Sequence, residues 1–119
     1  MNRYALLLLI LSGLFAASNI VRAGESMDRE IDYLLEAVAA SDCIFIRNGK
    51  EHEPASAVDH LQMKRNRGKR YYSSTEEFIE KIASSSSWSG DPYLIACAGA
   101  EPSPIRDWYL QALAEFRDQ

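Results

Sequence analysis

His60 offers this chain its widest choice of chemistry, because imidazole titrates near neutral pH and serves as base, acid or metal ligand. Asp59 precedes it and serines follow it, so a Ser-His-Asp hydrolase is the first reading to weigh. Adjacent residues on a helix point about 100° apart, so Asp59 cannot orient His60 from that position. No G-x-S-x-G elbow is present to expose a serine as nucleophile. A metal site fares no better. His52 and His60 stand eight apart, with no cysteine pair and no H-E-x-x-H beside them. Neither Cys43 nor Cys97 sits in a C-x-x-C pair, which argues against a redox enzyme. The residues therefore assign no catalytic set, no metal and no cofactor.

Three other polar strings each carry two readings. Lys64, Arg65, Arg67, Lys69 and Arg70 form the densest charge. They either hold an anionic partner (a phosphate-bearing glycan, a lipid head group or an acidic protein) or are the cations that a helix C-terminus favours, spilling into a solvated loop. Ser84 to Ser87 is either a nest of donors for an anion or a helix end whose hydroxyls satisfy the last open carbonyls. Ser89-Gly90-Asp91-Pro92-Tyr93 reads as a turn into a strand. Its S-G-x-x-Y pattern also occurs in small periplasmic lysozyme inhibitors. Those are β-barrels, whereas this chain carries four helical patterns.

The elements that must position these residues follow from periodicity. Ser26 reads as an N-cap with Asp28 and Glu30 in the first turn, and Met27, Ile31, Leu34, Leu35 and Val38 recur at helical spacing to about residue 41. Cys43 to Arg47 is β-branched and aromatic, and Asn48-Gly49 after it is the strongest short hairpin signal. The return arm is Lys50-Glu51-His52, which sets Arg47 opposite Lys50. Pro54 suits the first position of a second helix, Ala57, Val58 and Leu61 give it an apolar face, and Gly68 stops it. Ser74 and Glu77 form a capping box before Phe78, Ile79 and Ile82. Tyr93 to Cys97 is a further strand. Ser103 and Pro104 supply an N-cap and a first-turn proline for a helix striped by Ile105, Tyr109, Ala112, Leu113 and Phe116. The fold class is α+β, with four helices packed on a small antiparallel sheet made of the hairpin plus one strand.

Residues 1–23 have the order of a secretory leader: Arg3, then apolar Ala5 to Ala17, then small residues around a cut before Gly24. The apolar run is too short for a spanning helix, which needs roughly 20 residues. Stable membrane insertion after cleavage is not expected. Residues 24–119 then form a single domain that buries about 60–65% of its unfolded surface. Arg3 and Arg22 fall before the cut, leaving 11 of the 13 Lys and Arg against all 17 Asp and Glu, a formal charge of −6. An acidic chain is repelled by anionic surfaces, so nucleic acid is not an expected partner. Two cysteines in an oxidising compartment read as one disulfide, Cys43 to Cys97. Closing its loop of 54 residues stabilises by roughly 4 kcal/mol in the chain-entropy model.

One set of strings resembles a known family. Phe45 to Gly49, then Ala57-Val58-Asp59-His60-Leu61 with Lys64, Phe78-Ile79, Ser84 to Ser87, Ser89-Gly90 and Pro92-Tyr93 are similar in order and spacing to the YfeK-like family, small exported bacterial proteins with a domain of unknown function. The resemblance covers about residues 30 to 115. It implies a Gram-negative periplasmic address and one compact domain, and it brings no catalytic residue. Cys43 and Cys97 are not among the residues that carry it. The shared strings contain Arg47, His60 and Lys64, polar residues that packing alone does not require. If the hairpin packs beside the second helix, the three form one cluster near the serine loop.

The expected function is a periplasmic, non-catalytic binding or interaction module. Its surface would be Arg47, His60, Lys64, Ser86, Ser87 and Tyr93, and its partner an unknown protein or an anionic component of the envelope. A small hydrolase acting on an envelope substrate is the alternative, and an inhibitor of an envelope enzyme such as lysozyme is a third. A closed cleft with a hydroxyl about 3 Å from His60 would favour the enzyme. A flat or protruding cluster would favour binding.

Overall fold

The computed structural model describes residues 22–119. The apolar part of the leader lies outside the described residues. Residues 22–40 form the first helix, α1. Ser26 and Glu30 therefore lie inside the helix, not at its cap and first turn. The expected stripe holds: Ile31, Leu34, Leu35 and Val38 are all buried.

The hairpin forms as the Asn-Gly signal requires. β1 spans Ile44–Arg47 and β2 spans Lys50–His52, with Arg47 opposite Lys50. Asn48 and Gly49 have φ of 49° and 78°, the left-handed values of a type I′ turn. β3, Leu94–Ala96, pairs antiparallel with β1 on its other side. β4 is the two-residue strand Ser103–Pro104, paired with β3. This corrects the reading of Ser103 and Pro104 as helix cap and first turn. Proline lacks an N–H and is confined to edge strands, and here it holds the edge of the order β2-β1-β3-β4. The Cys43–Cys97 disulfide continues the β1–β3 ladder one step past Ile44 and Ala96.

α2 spans Pro54–Arg67, starting on proline as expected, with Gly68 as its C-cap. Gly68 has φ of −97°, so a left-handed cap is not the reason for glycine. Space is: a Cβ there would sit 2.5 Å from Ile82 Cδ1 and 3.0 Å from the Lys64 carbonyl. After a short turn, Lys69–Tyr71, α3 runs Thr75–Phe78 and widens into a π-helical turn, Ile79–Ala83. Ser74 Oγ accepts from the Glu77 N–H at 3.1 Å, which is half of the expected capping box. The Glu77 carboxylate closes back one residue earlier than expected, accepting from the N–H and hydroxyl of Ser73. α4 spans Ile105–Arg117.

One hydrophobic cluster joins all of these. Phe45 and Ile95 contribute from the sheet, Ala57 and Leu61 from α2, Phe78, Ile79, Ile82 and Ala83 from the third helix, and Ile105, Tyr109 and Leu113 from α4. Strand alternation puts Cys43, Phe45 and Arg47 on one face of β1. The first two are buried, so Arg47 projects toward the helices from the end of the sheet. No helix among the described residues is long and apolar enough to cross a membrane.

Candidate functional site

Helical spacing dictates an unusual burial on α2. Ala57, Leu61 and Lys64 fall at i, i+4 and i+7, and all three are buried. Lys64 thus takes the next core-facing position after two apolar ones and is only 8% exposed. His60 sits one turn before it on the same side. The sheet register supplies the rest. Ile46 pairs with Leu94, so the next step along the ladder sets Arg47 beside Tyr93.

The four side chains form a continuous network. Arg47 Nη1 lies 3.0 Å from His60 Nδ1 and 3.2 Å from Nε2. His60 Nε2 is 3.3 Å from the Tyr93 hydroxyl. Lys64 Nζ donates to that hydroxyl at 3.1 Å and to the Ser85 carbonyl at 2.7 Å. Guanidinium only donates, so a ring nitrogen of His60 accepts from Arg47; with the nearer nitrogen, Nδ1, assigned that role, Nε2 carries the ring proton toward Tyr93. The phenol oxygen then accepts from both Lys64 and His60. Its own proton, and one N–H of Lys64, are left for another acceptor.

The charges agree with this assignment. Burial, reinforced by the cations Arg47 and Lys64, lowers the His60 pKa to about 4, so the ring is neutral and an acceptor. Burial and then Arg47 lower Lys64 to about 8. Burial raises the Tyr93 phenol. Among the described residues no carboxylate pairs with Lys64. A buried ammonium held only by neutral acceptors is costly, and such groups concentrate at functional sites.

These residues line an open cleft of about 750 Å³, within the range of ligand sites. All six residues expected from sequence reach it: Arg47, His60, Lys64, Ser86, Ser87 and Tyr93. So do Arg67 and Lys81, the latter paired with Glu77 at 2.6 Å, and no Asp or Glu is in the lining itself. The rim is apolar. Trp88 is 94% exposed, Tyr71 54% and Met63 38%, and these three exposed large hydrophobic side chains all border the cleft. Sequence reading passed over all three. The available signal was Trp88 itself, a large aromatic in a Ser-Ser-Gly-Asp-Pro turn where no core position exists.

Among the described residues, no hydroxyl of the serine run donates to an open helix carbonyl, and Ser86 and Ser87 line the cleft. Ser86 Oγ accepts from the N–H groups of Trp88 and Ser89, both at 3.2 Å, and so builds the turn that presents Trp88. Ser89 Oγ donates to Asn48 Oδ1 at 3.0 Å and ties that turn to the hairpin. Ser84 Oγ is buried without a partner. The basic run is divided. Lys64 and Arg67 face the cleft, while Arg65 pairs with Asp32 at 2.7 Å and Asp28 at 3.6 Å on α1. Arg70 lies over the Tyr71 ring. His52 sits near Arg47, with Nε2 3.3 Å from Nη2. Among the described residues, no three His, Cys, Asp or Glu side chains gather as a metal ion requires.

The cleft meets neither geometric criterion outright. It is concave, as an enzyme's would be, and the hydroxyl near His60 belongs to a tyrosine whose oxygen already accepts twice. The His60 lone pair is engaged by Arg47, which weakens it as a base.

A model of a family of unknown function, DUF5329, matches residues 25–117. An uncharacterised protein of Salmonella typhimurium strain LT2, YfeK, is 40% identical over 67 residues, which cover 56% of this chain and 56% of that protein. The chain thus spans little more than half the length of the curated relative it matches. No solved structure matches it.

Proposed function

Starting from a chain that belongs to this family of unknown function, DUF5329, we propose that it is a non-catalytic binding module of the periplasm whose working surface is the cleft around Lys64. The observation that carries this reading is the burial of the Lys64 ammonium beside Arg47, on a cleft lined by four cations and no anion. The Ser85 carbonyl and the Tyr93 hydroxyl and ring offset part of the cost of taking that charge out of water, and no counter-ion offsets the rest. An incoming anion offsets it, because an opposite charge in a partly desolvated site interacts more strongly than in bulk water. Lys64, Arg47 and the Tyr93 hydroxyl all present donors to it. The neutral His60 positions Arg47 and Tyr93 rather than moving protons. The periplasmic address rests on the leader-like order of residues 1–23, and the Cys43–Cys97 disulfide is compatible with an oxidising compartment.

The test is occupancy trapping in cells. A photoreactive residue placed at the exposed Ser87 should yield an adduct in the periplasmic fraction, on a chain whose mass begins at Gly24. The adduct should disappear in Lys64→Met and Arg47→Gln backgrounds. An adduct indifferent to both changes would overturn the assignment of the cleft.

A further inference from the structure

The lining of the cleft also limits what can fill it. Its side chains are rich in donors and poor in acceptors: Arg47, Lys64, Arg67 and Lys81 only donate. Two of the wall's acceptors are spent internally. Asn48 Oδ1 accepts from Ser89 and Ser86 Oγ accepts from two backbone N–H groups. The Tyr93 oxygen accepts from Lys64, and the Ser87 and Tyr71 hydroxyls, which donate as well as accept, remain beside a lining with no carboxylate. A neutral sugar brings hydroxyls that need acceptors as well as donors. A ligand that brings mostly acceptors, in carboxylates and carbonyls, matches the wall better.

The rim adds a second constraint. A small ligand is bound by enclosure, with most of its surface buried. Trp88 lines the cleft yet is 94% exposed, and Tyr71 and Met63, also in the lining, are 54% and 38% exposed. They can be covered only by something that extends beyond the cavity. Trp, Tyr and Arg are also the side chains that dominate the binding energy of protein interfaces. Because the chain as a whole is acidic, long-range attraction to an acidic partner is absent, and recognition has to occur at contact inside the cationic cleft.

We infer that the cleft receives an acidic segment of another polypeptide, with a carboxylate on Lys64 and Arg47 and a neighbouring apolar side chain on Trp88 and Tyr71. This rests on the cleft being the binding surface and adds the class of occupant. The segment supplies acceptors from its side chains and its backbone, which satisfies the unspent donors of Lys64 and Tyr93. The Ser86-built turn holds Trp88 in place, and the Ser89–Asn48 bond fixes that turn against the hairpin that carries Arg47.

Three probes decide it, each titrated into the full mature protein while tryptophan emission is followed. The first is a ten-residue peptide of alternating glutamate and leucine, the second its glutamine counterpart, and the third an oligogalacturonate of similar length. Saturable binding of the first is expected, with the other two bound at least about tenfold more weakly. Trp88→Ala changes a solvent-exposed side chain and should leave the fold intact. Followed by calorimetry, it should weaken the first peptide by about 30-fold, the loss typical of an interface hot spot. Lys64→Gln should weaken it to the level of the glutamine peptide. Equal or tighter binding of oligogalacturonate, equal binding of the glutamine peptide, or no binding of the first probe would each overturn the inference. Trapping at Ser87 that still depends on Lys64 would in those cases leave the cleft as a binding surface for a different class of ligand.

Discussion

The molecule buries charge in two places and treats it in opposite ways. Glu30 on α1 and Lys64 on α2 are both 8% exposed. Glu30 is answered. Arg117 donates to it through Nε at 2.6 Å and Nη2 at 3.2 Å, and Thr75 Oγ1 donates at 2.6 Å. Arg117 is held in turn by Glu76 at 2.6 Å. The Arg117 bond lowers the Glu30 pKa against the opposing pull of burial. Lys64 has neutral oxygens and neighbouring cations instead, and its pKa falls. One cluster closes α1, α3 and α4 on each other around paired charges. The other holds donors open on a cleft. Burial alone therefore does not mark a site; burial without compensation does.

The comparison predicts opposite signs for removing the two charges. Glu30→Ala leaves the Thr75 hydroxyl and one edge of the Arg117 guanidinium without an acceptor, and should cost about 3 kcal/mol. Lys64→Met keeps the side-chain length and removes a buried cation with no counter-ion. It should leave stability unchanged or raise it by up to about 2 kcal/mol while abolishing trapping at Ser87. Urea unfolding at pH 7 reads both. A Lys64→Met cost as large as that of Glu30→Ala would break the comparison, because Lys64 would then be a structural contact.

pH separates the clusters a second way, with effects of about 2 kcal/mol each for His60 and Lys64 once partial exposure is allowed for. His60 and Lys64 have folded values of about 4 and about 8, below their ordinary values of 6.5 and 10.5. Across each interval the unfolded chain holds the extra proton, so stability rises with pH from 4 to 6.5 and again from 8 toward 10. Above pH 10 the buried phenol of Tyr109, raised by burial, reverses the trend. Glu30, whose value is lowered, keeps its contribution above the ordinary carboxylate range and loses it as pH falls below about 4.5. His60→Gln should remove the larger part of the first rise, His52, also lowered by burial and Arg47, keeping the remainder, and Lys64→Met should remove the second. An undiminished rise in either variant would show that the wrong group has been assigned to it.

Much of the cleft was legible because it is built from local signals. The Asn48-Gly49 turn fixes the register that brings Arg47 to the end of the sheet, and the proline start and glycine stop bound the helix that carries His60 and Lys64. Polar residues that packing does not require pointed to the same three side chains. The burial of Lys64 was also readable, since it continues the Ala57–Leu61 stripe at i+7. A basic neighbourhood from Lys64 to Arg70 concealed it by suggesting a solvated run. The Glu30 cluster could not be read at all. Glu30 and Arg117 are 87 residues apart, and no spacing rule relates them. Glu30 in an assumed first turn looked like a helix-dipole residue, because the helix start was placed several residues too late. β4 was missed for a similar reason: two residues carry no period, and their strand character comes from pairing with Leu94 and Ile95.

A smaller effect tests how the open cluster is built. The Gly68 contact with Ile82 forms part of the cleft wall, so Gly68→Ala should cost about 1–2 kcal/mol, and Ile82→Val should recover part of it by withdrawing the crowded methyl.

The smallest expected effect separates stability from readiness to bind. Asn48 serves the hairpin through its positive φ and serves the cleft through its bond from Ser89. Asn48→Ala loses both, at about 1 kcal/mol. Asn48→Gly loses only the second, since glycine takes the left-handed conformation at no steric cost. Stability should therefore return with glycine, and the affinity for an acidic segment should not, because the turn that presents Trp88 is no longer tied to the strand that presents Arg47. Full recovery of affinity with glycine would mean that Ser86 alone holds Trp88 in place. The open cluster would then be rigid without the hairpin, and the Ser89–Asn48 bond would belong with the Glu30 network, among contacts that hold the fold and not the ligand.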